Sequence, residues 1–158
     1  MSPLRRANIV SAEAEPAAGR PEGYRYAFAR LGPQIGARLI GASIYDLPPG
    51  VSSFPYHYEY GNEEWLLVVA GRPTLRHPGG EDALEPGDLV CFPEGPEGAH
   101  KLTNATDEPV RVVILSTKRE PSVAIYPDSD KVGIWTENDE DDILVRRESG
   151  VDYWDREA

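Results

Sequence analysis

Hydrophobic and polar residues alternate along the middle of the chain in short runs, as in β-strands rather than helices. Residues 24–30 (YRYAFAR), for example, place their three aromatic residues on one face. The other predicted strands are 37–47, 57–60, 64–70, 73–77, 89–92, 99–104, 110–116 and 123–126. Pro- and Gly-containing turns separate them every 8–12 residues, and no convincing amphipathic helix is present. This pattern predicts an all-β sandwich or barrel of about nine to eleven strands.

The two ends of the chain lack this regular alternation. Residues 1–22 are rich in Ala, Glu and Pro, and we interpret them as an arm with a short strand near Ile9 and Val10. The C-terminal part contains an acidic run (137–142), which we interpret as a solvated loop. We expect the aromatic residues Trp135, Tyr153 and Trp154 to dock on the barrel or on a second subunit.

Size and charge restrict the class of protein. A chain of 158 residues with 40% apolar residues can form one domain with a good-sized core. The net charge of −11 argues against nucleic acid and anionic membranes as partners, because a phosphate backbone needs a basic face. The apolar neighbours of the single cysteine, Cys91, suggest a buried thiol. A signal peptide and a run of about 18 apolar residues are both missing from the sequence, so we expect a cytoplasmic protein.

Four residues in this pattern are candidates for a metal site. His57 and Glu59 lie two apart on a predicted strand, which turns both side chains to one face. Glu64 follows a Gly-Asn corner and opens the next apolar strand, and His100 comes after a turn-rich segment. A carboxylate that points into such an apolar interior is costly unless a cation or a hydrogen-bond donor compensates it. We therefore predict that His57, Glu64 and His100 converge on a divalent ion.

The sequence leaves open the role of Glu59 and the identity of the metal. Glu59 is a fourth ligand, a hydrogen-bond partner of a ligand, or a solvent-facing residue, and without a metal His57 would form a buried ion pair with one of the glutamates. Two imidazoles and two carboxylates suit Mn(II), Fe(II), Zn(II), Ni(II) or Co(II), with Cu(II) as a further option. Four protein ligands on a six-coordinate ion leave two positions open, as in a reactive site.

At these residues the chain resembles the cupins, a family of small jelly-roll, or double-stranded β-helix, domains. The first cupin motif corresponds to Gly50, six residues, His57-Tyr58-Glu59, four residues, Glu64, six residues and Gly71. The second corresponds to Gly87, five residues, Pro93-Glu94-Gly95, four residues, His100, three residues and Asn104. The resemblance covers residues 37–118. It implies an N-terminal arm with strands that join the barrel (1–36) and a C-terminal extension (119–158) within a single domain.

The resemblance also implies a function and shows two departures. Glu59 stands where cupins usually have a second histidine, so the implied metal ligands are His57, Glu59, Glu64 and His100. Two extra residues precede His100. A subgroup of small bacterial cupins with similar sequence is described as sugar-phosphate isomerase-like, which implies a metal enzyme for a polar small molecule such as a sugar or sugar phosphate, with Glu59 or a metal-bound water as the catalytic proton carrier. Because cupins commonly pair as dimers, the resemblance also implies a homodimer. The alternatives are an Fe(II) dioxygenase and a non-catalytic ligand-binding or sensor cupin.

Overall fold

The computed structural model describes residues 3–157, which form thirteen strands and one very short α-helix. The strands are β1 (Glu15–Pro16), β2 (Ala27–Arg30), β3 (Ile40–Leu47), β4 (Tyr58–Tyr60), β5 (Glu64–Ala70), β6 (Thr74–His77), β7 (Gly80–Ala83), β8 (Leu89–Phe92), β9 (Lys101–Thr103), β10 (Val110–Thr117), β11 (Ser122–Tyr126), β12 (Lys131–Trp135) and β13 (Ile143–Arg146). The helix α1 spans Gly32–Ile35. Single 3₁₀ turns occupy Glu22–Tyr24, Pro96–Gly98, Pro127–Ser129, Asp139–Asp141 and Arg147–Ser149.

The strands form three antiparallel sheets, which confirms the all-β prediction. The largest sheet has the order β1-β2-β3-β10-β5-β8, the second has the order β13-β12-β11-β4, and the third has the order β7-β6-β9. Neighbours in a sheet are often distant in sequence, as when β10 lies between β3 and β5. These connections between strands that are distant in sequence produce a jelly roll. The two N-terminal strands, β1 and β2, lie at one edge of the large sheet.

The core fills the interior of this barrel. Leu66 and Val68 of β5 are fully buried, and so are Val110 and Val112 of β10. The alternation predicted for β5 is therefore confirmed at Leu66 and Val68, which share the inner face with Glu64. The same sheet carries a second apolar cluster on its outer face, built on Ile44 and Val113.

The N-terminal arm covers part of that outer face. Ala7, Ile9, Ala12 and Ala14 pack against the cluster around Ile44. The strand predicted near Ile9 and Val10 is wrong, because residues 9–11 form a turn in which Asn8 Oδ1 accepts a hydrogen bond from the Val10 backbone N–H (2.8 Å). Residues 7–14 of the arm therefore contribute side chains rather than a strand to the sheet, and β1 follows them at the sheet edge.

The prediction of a buried Cys91 is wrong. Cys91 is exposed, since it alternates with the inward-facing Val90 and Phe92 on the edge strand β8. Of the three aromatic residues expected to dock on the barrel or on a second subunit, Trp135 is half-buried in β12, whereas Tyr153 and Trp154 are exposed. Docking of Tyr153 and Trp154 on a second subunit stays a prediction. Within residues 3–157, the helices are too short and too polar to span a bilayer.

Candidate metal centre

Two distant segments of the chain bring the two histidines together. His57 and His100 form an isolated antiparallel β-bridge, in which each backbone N–H donates to the other residue's carbonyl oxygen (3.1 and 2.8 Å). Both side chains point into the barrel and are almost completely buried. The ring centroids lie 4.7 Å apart. The predicted convergence of His57 and His100 is therefore present in the structure.

The backbone sets the tautomer of both imidazoles. His57 Nδ1 lies 2.9 Å from the Pro55 carbonyl oxygen, and His100 Nδ1 lies 2.9 Å from the Gly98 carbonyl oxygen. A carbonyl oxygen only accepts hydrogen bonds, so each Nδ1 must carry the proton. Each Nε2 then presents a bare lone pair toward the interior, which is the form of histidine that binds a metal.

The glutamates complete the cluster from strands of two different sheets, Glu59 from β4 and Glu64 from β5. Glu64 Oε2 lies 3.6 Å from His100 Nε2 and 3.9 Å from His57 Nε2. Glu59 Oε1 lies 4.0 Å from His57 Nε2. All four predicted residues thus meet in one place, although these separations are too long for hydrogen bonds.

Burial alters the protonation of all four groups. It lowers the pKa of His57, and together with the neighbouring His57 it lowers the pKa of His100 to about 3. Burial and the nearby Glu59 raise the pKa of Glu64 to about 8, whereas a hydrogen bond from Ser116 opposes that rise. Burial also raises the pKa of Glu59, against a hydrogen bond from Asn62. At neutral pH the histidines are neutral and Glu64 retains a proton.

A divalent ion would stabilise these buried polar groups. Among the described residues, His100 Nε2 is a buried nitrogen without a hydrogen-bond partner. The His57, Glu64 and His100 donor atoms lie within 4.8 Å of one another, and two ligands on one transition metal lie about 3–4 Å apart. A small contraction would place all three on one ion. The buried triad can therefore bind a metal ion, while the status of Glu59 as a fourth ligand stays a prediction.

Aromatic rings that the sequence analysis missed hold the histidines in place. Phe92 stacks on His100, with centroids 3.7 Å apart and planes within 6°. Tyr126 stacks on His57 at 5.6 Å, and Phe54 meets the same ring edge-on at 6.1 Å. Strand pairing explains the position of Tyr126. The strand β11 pairs with β4 at the level of Glu59, so alternate residues of β11, including Tyr126, point to the site. That pairing is not readable from the sequence.

Asn62 was also missed as a functional residue. Its side chain is buried, and its Oδ1 accepts hydrogen bonds from Thr117 Oγ1 (3.2 Å) and from the Arg119 backbone N–H (2.9 Å). These bonds orient the amide so that its nitrogen can donate to Glu59. In sequence it looked like an ordinary turn residue, and only this orientation connects it with the site.

Three other side chains that could bind a metal or an anion, His77, Glu63 and Arg76, lie outside the cluster. His77 pairs with Asp82 on the surface (3.0 Å). Glu63 faces away from Glu64 and accepts a hydrogen bond from Trp65 Nε1 (2.8 Å). Arg76 pairs with Asp128. His77 and Glu63 are thus natural controls for the site residues.

Gly98 fixes the loop that positions His100, and its substitution gives a direct test. A Cβ at Gly98 would clash with the carbonyl oxygen of Pro93, and the Gly98 carbonyl is the acceptor of His100 Nδ1. We expect Gly98→Ala to lower the free energy of unfolding by about 1–3 kcal/mol, as overpacking usually does, and to weaken metal binding. Gly79→Ala is the control, since its nearest neighbour is the surface His77 side chain. Equal denaturation midpoints and metal affinities for the two variants would contradict this role.

Comparison with known proteins identifies the family. Residues 43–116 match the Cupin_2 family, whose description is cupin domain. The matched stretch contains both histidines and both glutamates of the cluster. Strands on either side of this stretch join the same jelly roll. Residues 43–116 therefore form a cupin domain within this chain.

Solved structures extend this likeness over most of the chain. A protein of Silicibacter pomeroyi described as a sugar phosphate isomerase of the cupin superfamily is 24% identical, with a TM-score of 0.80 over 95% of this chain and 98% of that one. A proposed sugar phosphate isomerase of Acidithiobacillus ferrooxidans is 24% identical, with a TM-score of 0.80 over 91% of each chain. The polyketide cyclase RemF of Streptomyces resistomycificus is 21% identical, with a TM-score of 0.60 over 75% of this chain and 83% of that one. At these identities the likeness establishes the fold.

One curated relative matches a shorter stretch. The bifunctional lysine-specific demethylase and histidyl-hydroxylase NO66 of Branchiostoma floridae is 38% identical over 60 residues, or 36% of this chain. The chain spans about a tenth of the length of that relative (10%). The match therefore concerns one segment of a much larger protein.

Proposed function

We propose that the protein is a divalent-metal-dependent enzyme that acts on a polar small molecule, such as a sugar or a sugar phosphate, in an isomerase- or epimerase-like reaction. The observation that carries the proposal is the buried triad, in which two neutral imidazoles and a carboxylate present their donor atoms to a common point. A second buried carboxylate, Glu59, lies beside them. A metal ligand set with an adjacent proton carrier is suited to chemistry next to a carbonyl group.

The metal ion and the residues around it would have different roles in the reaction. A bound divalent ion supplies polarisation of a substrate carbonyl or hydroxyl. The Pro55 and Gly98 carbonyls keep both imidazoles in the ligating tautomer. Glu59 has a pKa raised by burial, which moves it toward the range of an effective general base. In the proposed isomerisation Glu59 removes the proton from the hydroxyl-bearing carbon next to the carbonyl and returns it to the carbonyl carbon, while the hydroxyl proton passes to the former carbonyl oxygen. In an epimerisation Glu59 would remove the same proton and water would supply a proton to the opposite face of that carbon.

Aromatic side chains lie beside the triad. Tyr45 and Phe54 pack edge-to-face at 5.3 Å, and Phe54 contacts His57. Burial raises the pKa of Tyr45 to about 12, so its hydroxyl stays protonated and can donate to a substrate oxygen. Aromatic walls with a few polar groups are typical of small-molecule sites. This composition, together with the description of the Silicibacter pomeroyi protein, supports a sugar-like substrate.

Glu59→Gln tests the proposed reaction. We expect the variant to bind Mn(II) within about tenfold of wild type while turnover falls by more than about 100-fold, the scale of losing a general base. The assay incubates the metal-loaded protein with a panel of aldose and ketose phosphates in D₂O and follows solvent deuterium at the exchanging carbon by NMR.

Glu63→Gln, which alters the exposed neighbouring carboxylate, is the matched control. Unchanged deuterium incorporation by Glu59→Gln would remove Glu59 from the mechanism. Normal metal binding with no exchange for any substrate of the panel would favour a ligand-binding cupin without turnover.

A specific observation favours one other function. Two histidines and one carboxylate with open positions form the ligand set of non-haem Fe(II) oxygenases. His57, His100 and Glu64 have this composition. The curated relative that matches over 60 residues is named as a demethylase and hydroxylase. Oxygen uptake by the Fe(II)-loaded protein in the presence of substrate would establish this alternative. Full activity under anaerobic conditions would exclude it.

A further inference from the structure

We propose that Arg30 and Lys118 form a phosphate-binding subsite at the mouth of the barrel and make the protein selective for a phosphorylated sugar. This inference rests on the proposed function and deepens it, because it names the residues that select the substrate. Neither residue belongs to the metal cluster. Strand register directs both side chains to the inner face of the large sheet, on the side of the metal centre where solvent enters.

Solvent reaches the metal cluster from its carboxylate side. The Glu59 and Glu64 side chains are 19% and 15% exposed, whereas both histidine side chains are almost completely buried. Gly41, Ser116 and Glu64 lie side by side across the neighbouring strands β3, β10 and β5. Neighbouring strands are about 4.8 Å apart, so the inner face at Gly41 lies about 10 Å from Glu64. A sugar whose carbonyl end lies at the metal would extend along this row.

Strand alternation directs Arg30 to the same inner face. On β2, Phe28 packs on the inner core and Ala29 packs on the outer cluster, so Arg30 faces inward again. Arg30 pairs with Ser43 of β3, two residues from Gly41. Its side chain therefore stands at the mouth of the barrel, on the β2 side of β3.

The Tyr45 hydroxyl lies between this side of the barrel and the metal cluster. Burial is the main cause of its raised pKa, to which the Glu64 carboxylate adds and which the positive charge of Arg30 opposes. Both charges thus lie close enough to act on one phenol group. A neutral Tyr45 can donate a hydrogen bond to a sugar hydroxyl located between the phosphate and the carbonyl.

Lys118 reaches the same part of the inner face from the end of β10. Ile114 packs in the inner core, so alternation turns residues 116 and 118 inward as well. The Lys118 backbone N–H donates to the Leu39 carbonyl oxygen (2.9 Å), which continues the pairing with β3. A Cβ at Gly41 would lie 3.8 Å from Lys118 Cγ and 3.9 Å from Lys118 Cδ. The stem of Lys118 therefore lies over the inner face of Gly41.

The two cations suit the charge of a phosphate group. Arg30 and Lys118 approach β3 from its two neighbours, β2 and β10. Within residues 3–157 neither is paired with a carboxylate, whereas Arg72, Arg76 and Arg111 are. A phosphate monoester carries close to two negative charges near pH 7, and a guanidinium can bind two of its oxygens at once. Two unpaired cations at the entrance therefore favour a phosphorylated over a neutral sugar.

Isothermal titration calorimetry of the Mn(II)-loaded protein tests the subsite. The probes are ribose 5-phosphate, glucose 6-phosphate and the two free sugars. We expect at least one phosphorylated probe to bind at least about tenfold more tightly than its free sugar. Arg30→Gln and Lys118→Gln should each weaken that binding by at least about tenfold, the scale of a hydrogen bond to a charged group.

Controls separate a local effect from a general one. Arg72→Gln, which removes a cation paired with Glu85 on the surface, should bind the phosphorylated probe like wild type. Arg30→Gln and Lys118→Gln should bind Mn(II) like wild type, because neither residue is a ligand. The absence of a phosphate preference in both pairs of probes, or a preference unchanged in both variants, overturns the proposal.

Two further measurements locate the phosphate. Inorganic phosphate should bind at least about tenfold more weakly than the sugar phosphate, since it cannot also contact the metal cluster. Equal affinity would contradict the assignment to a sugar phosphate. Relaxation of the ³¹P resonance by bound Mn(II) should place the phosphorus about two strand spacings from the ion. Phosphorus in direct contact with the ion would rule the subsite out.

Turnover distinguishes failure of this inference from failure of the proposed function. Phosphate-selective binding that is lost in Arg30→Gln, without deuterium exchange in wild type, would retain the subsite and remove the isomerisation. Exchange with equal KM for a sugar and its phosphate would retain the reaction and overturn the subsite.

Discussion

Replacement of His100 by alanine is expected to abolish tight binding of a divalent ion. His100 Nε2 is the buried donor that lacks a protein partner, and its ring is clamped by Phe92 and by the Gly98 carbonyl. Loss of a direct ligand should exceed the 10- to 100-fold loss typical of residues that merely orient a ligand. We expect the dissociation constant for Mn(II) or Zn(II), measured by isothermal titration calorimetry, to rise by more than about 100-fold.

The third histidine of the chain provides the control for this experiment. His77 lies on the surface and pairs with Asp82, so His77→Ala should bind the metal like wild type. His57→Ala should behave like His100→Ala, because both present Nε2 to the same point. Comparable metal affinities for His77→Ala and His100→Ala would place the ion elsewhere on the protein.

The metal-free protein is expected to lose stability as the pH rises from 6.5 to 8. The pKa of Glu64 is raised from 4.5 to about 8 in the folded state, so in this interval the folded chain holds a proton that the unfolded chain has released. His57 and His100 have pKa values lowered from 6.5, so they raise stability with pH only below that value. Above pH 6.5 the Glu64 contribution therefore dominates among these groups.

The expected effect is large enough for a thermal scan. One proton corresponds to about 1.4 kcal/mol per pH unit, so the free energy of unfolding should fall by about 2 kcal/mol across this interval. For a chain of this size that is about 4–8 °C in Tm, measured by circular dichroism in the presence of a chelator.

Glu64→Gln provides the control for the pH experiment, because it removes the group whose pKa is raised to about 8 and should reduce the decline in Tm between pH 6.5 and 8 to the part that belongs to Glu59. Saturating metal should raise the Tm of wild type and abolish the decline, since an ion displaces the proton. A Tm of the metal-free wild type that stays constant or rises over this interval would contradict the assigned protonation of Glu64.

The positions of the site residues were predictable because local spacing controls them. A separation of two residues on a strand places His57 and Glu59 on one face. The corner before Glu64 then turns the chain back, so that the Glu64 side chain faces the same interior. The turn-rich segment before His100 contains Gly98, whose missing side chain allows the close approach to Pro93. Each of these relations spans a few residues, so the sequence contains the information directly. The meeting of His57 with His100 depends instead on a bridge between distant segments, and the resemblance to cupins rather than local spacing indicated it.

Relations that depend on the packing of distant segments were not predictable. Cys91 lies in an apolar run, but β8 is an edge strand whose outer face nothing in residues 3–157 covers, so the thiol is exposed. Tyr126 reaches His57 only because β11 pairs with β4. Ile9 looks like a strand residue, but it lies in a turn and its side chain packs on the apolar cluster of the outer sheet face. In each case a partner segment, rather than the local pattern, decides the environment.

The physical basis of the site is a group of polar atoms that the protein alone leaves unsatisfied. The fold fixes two neutral imidazoles by backbone hydrogen bonds and places two carboxylates beside them in an interior that disfavours charge. Such an arrangement costs stability in the absence of a cation and gains it when a cation binds. Pre-organised ligands with this deficit are characteristic of functional rather than structural polar clusters.

An anomalous-difference map from a crystal grown with Mn(II) tests the central claim most directly. The account predicts one strong peak inside the barrel, within about 2.0–2.3 Å of His57 Nε2, His100 Nε2 and a Glu64 carboxylate oxygen. A map that also shows Glu59 at this distance would settle its role as a fourth ligand. A map without a peak between the two imidazoles, at full metal supplementation and neutral to slightly basic pH, would contradict the account.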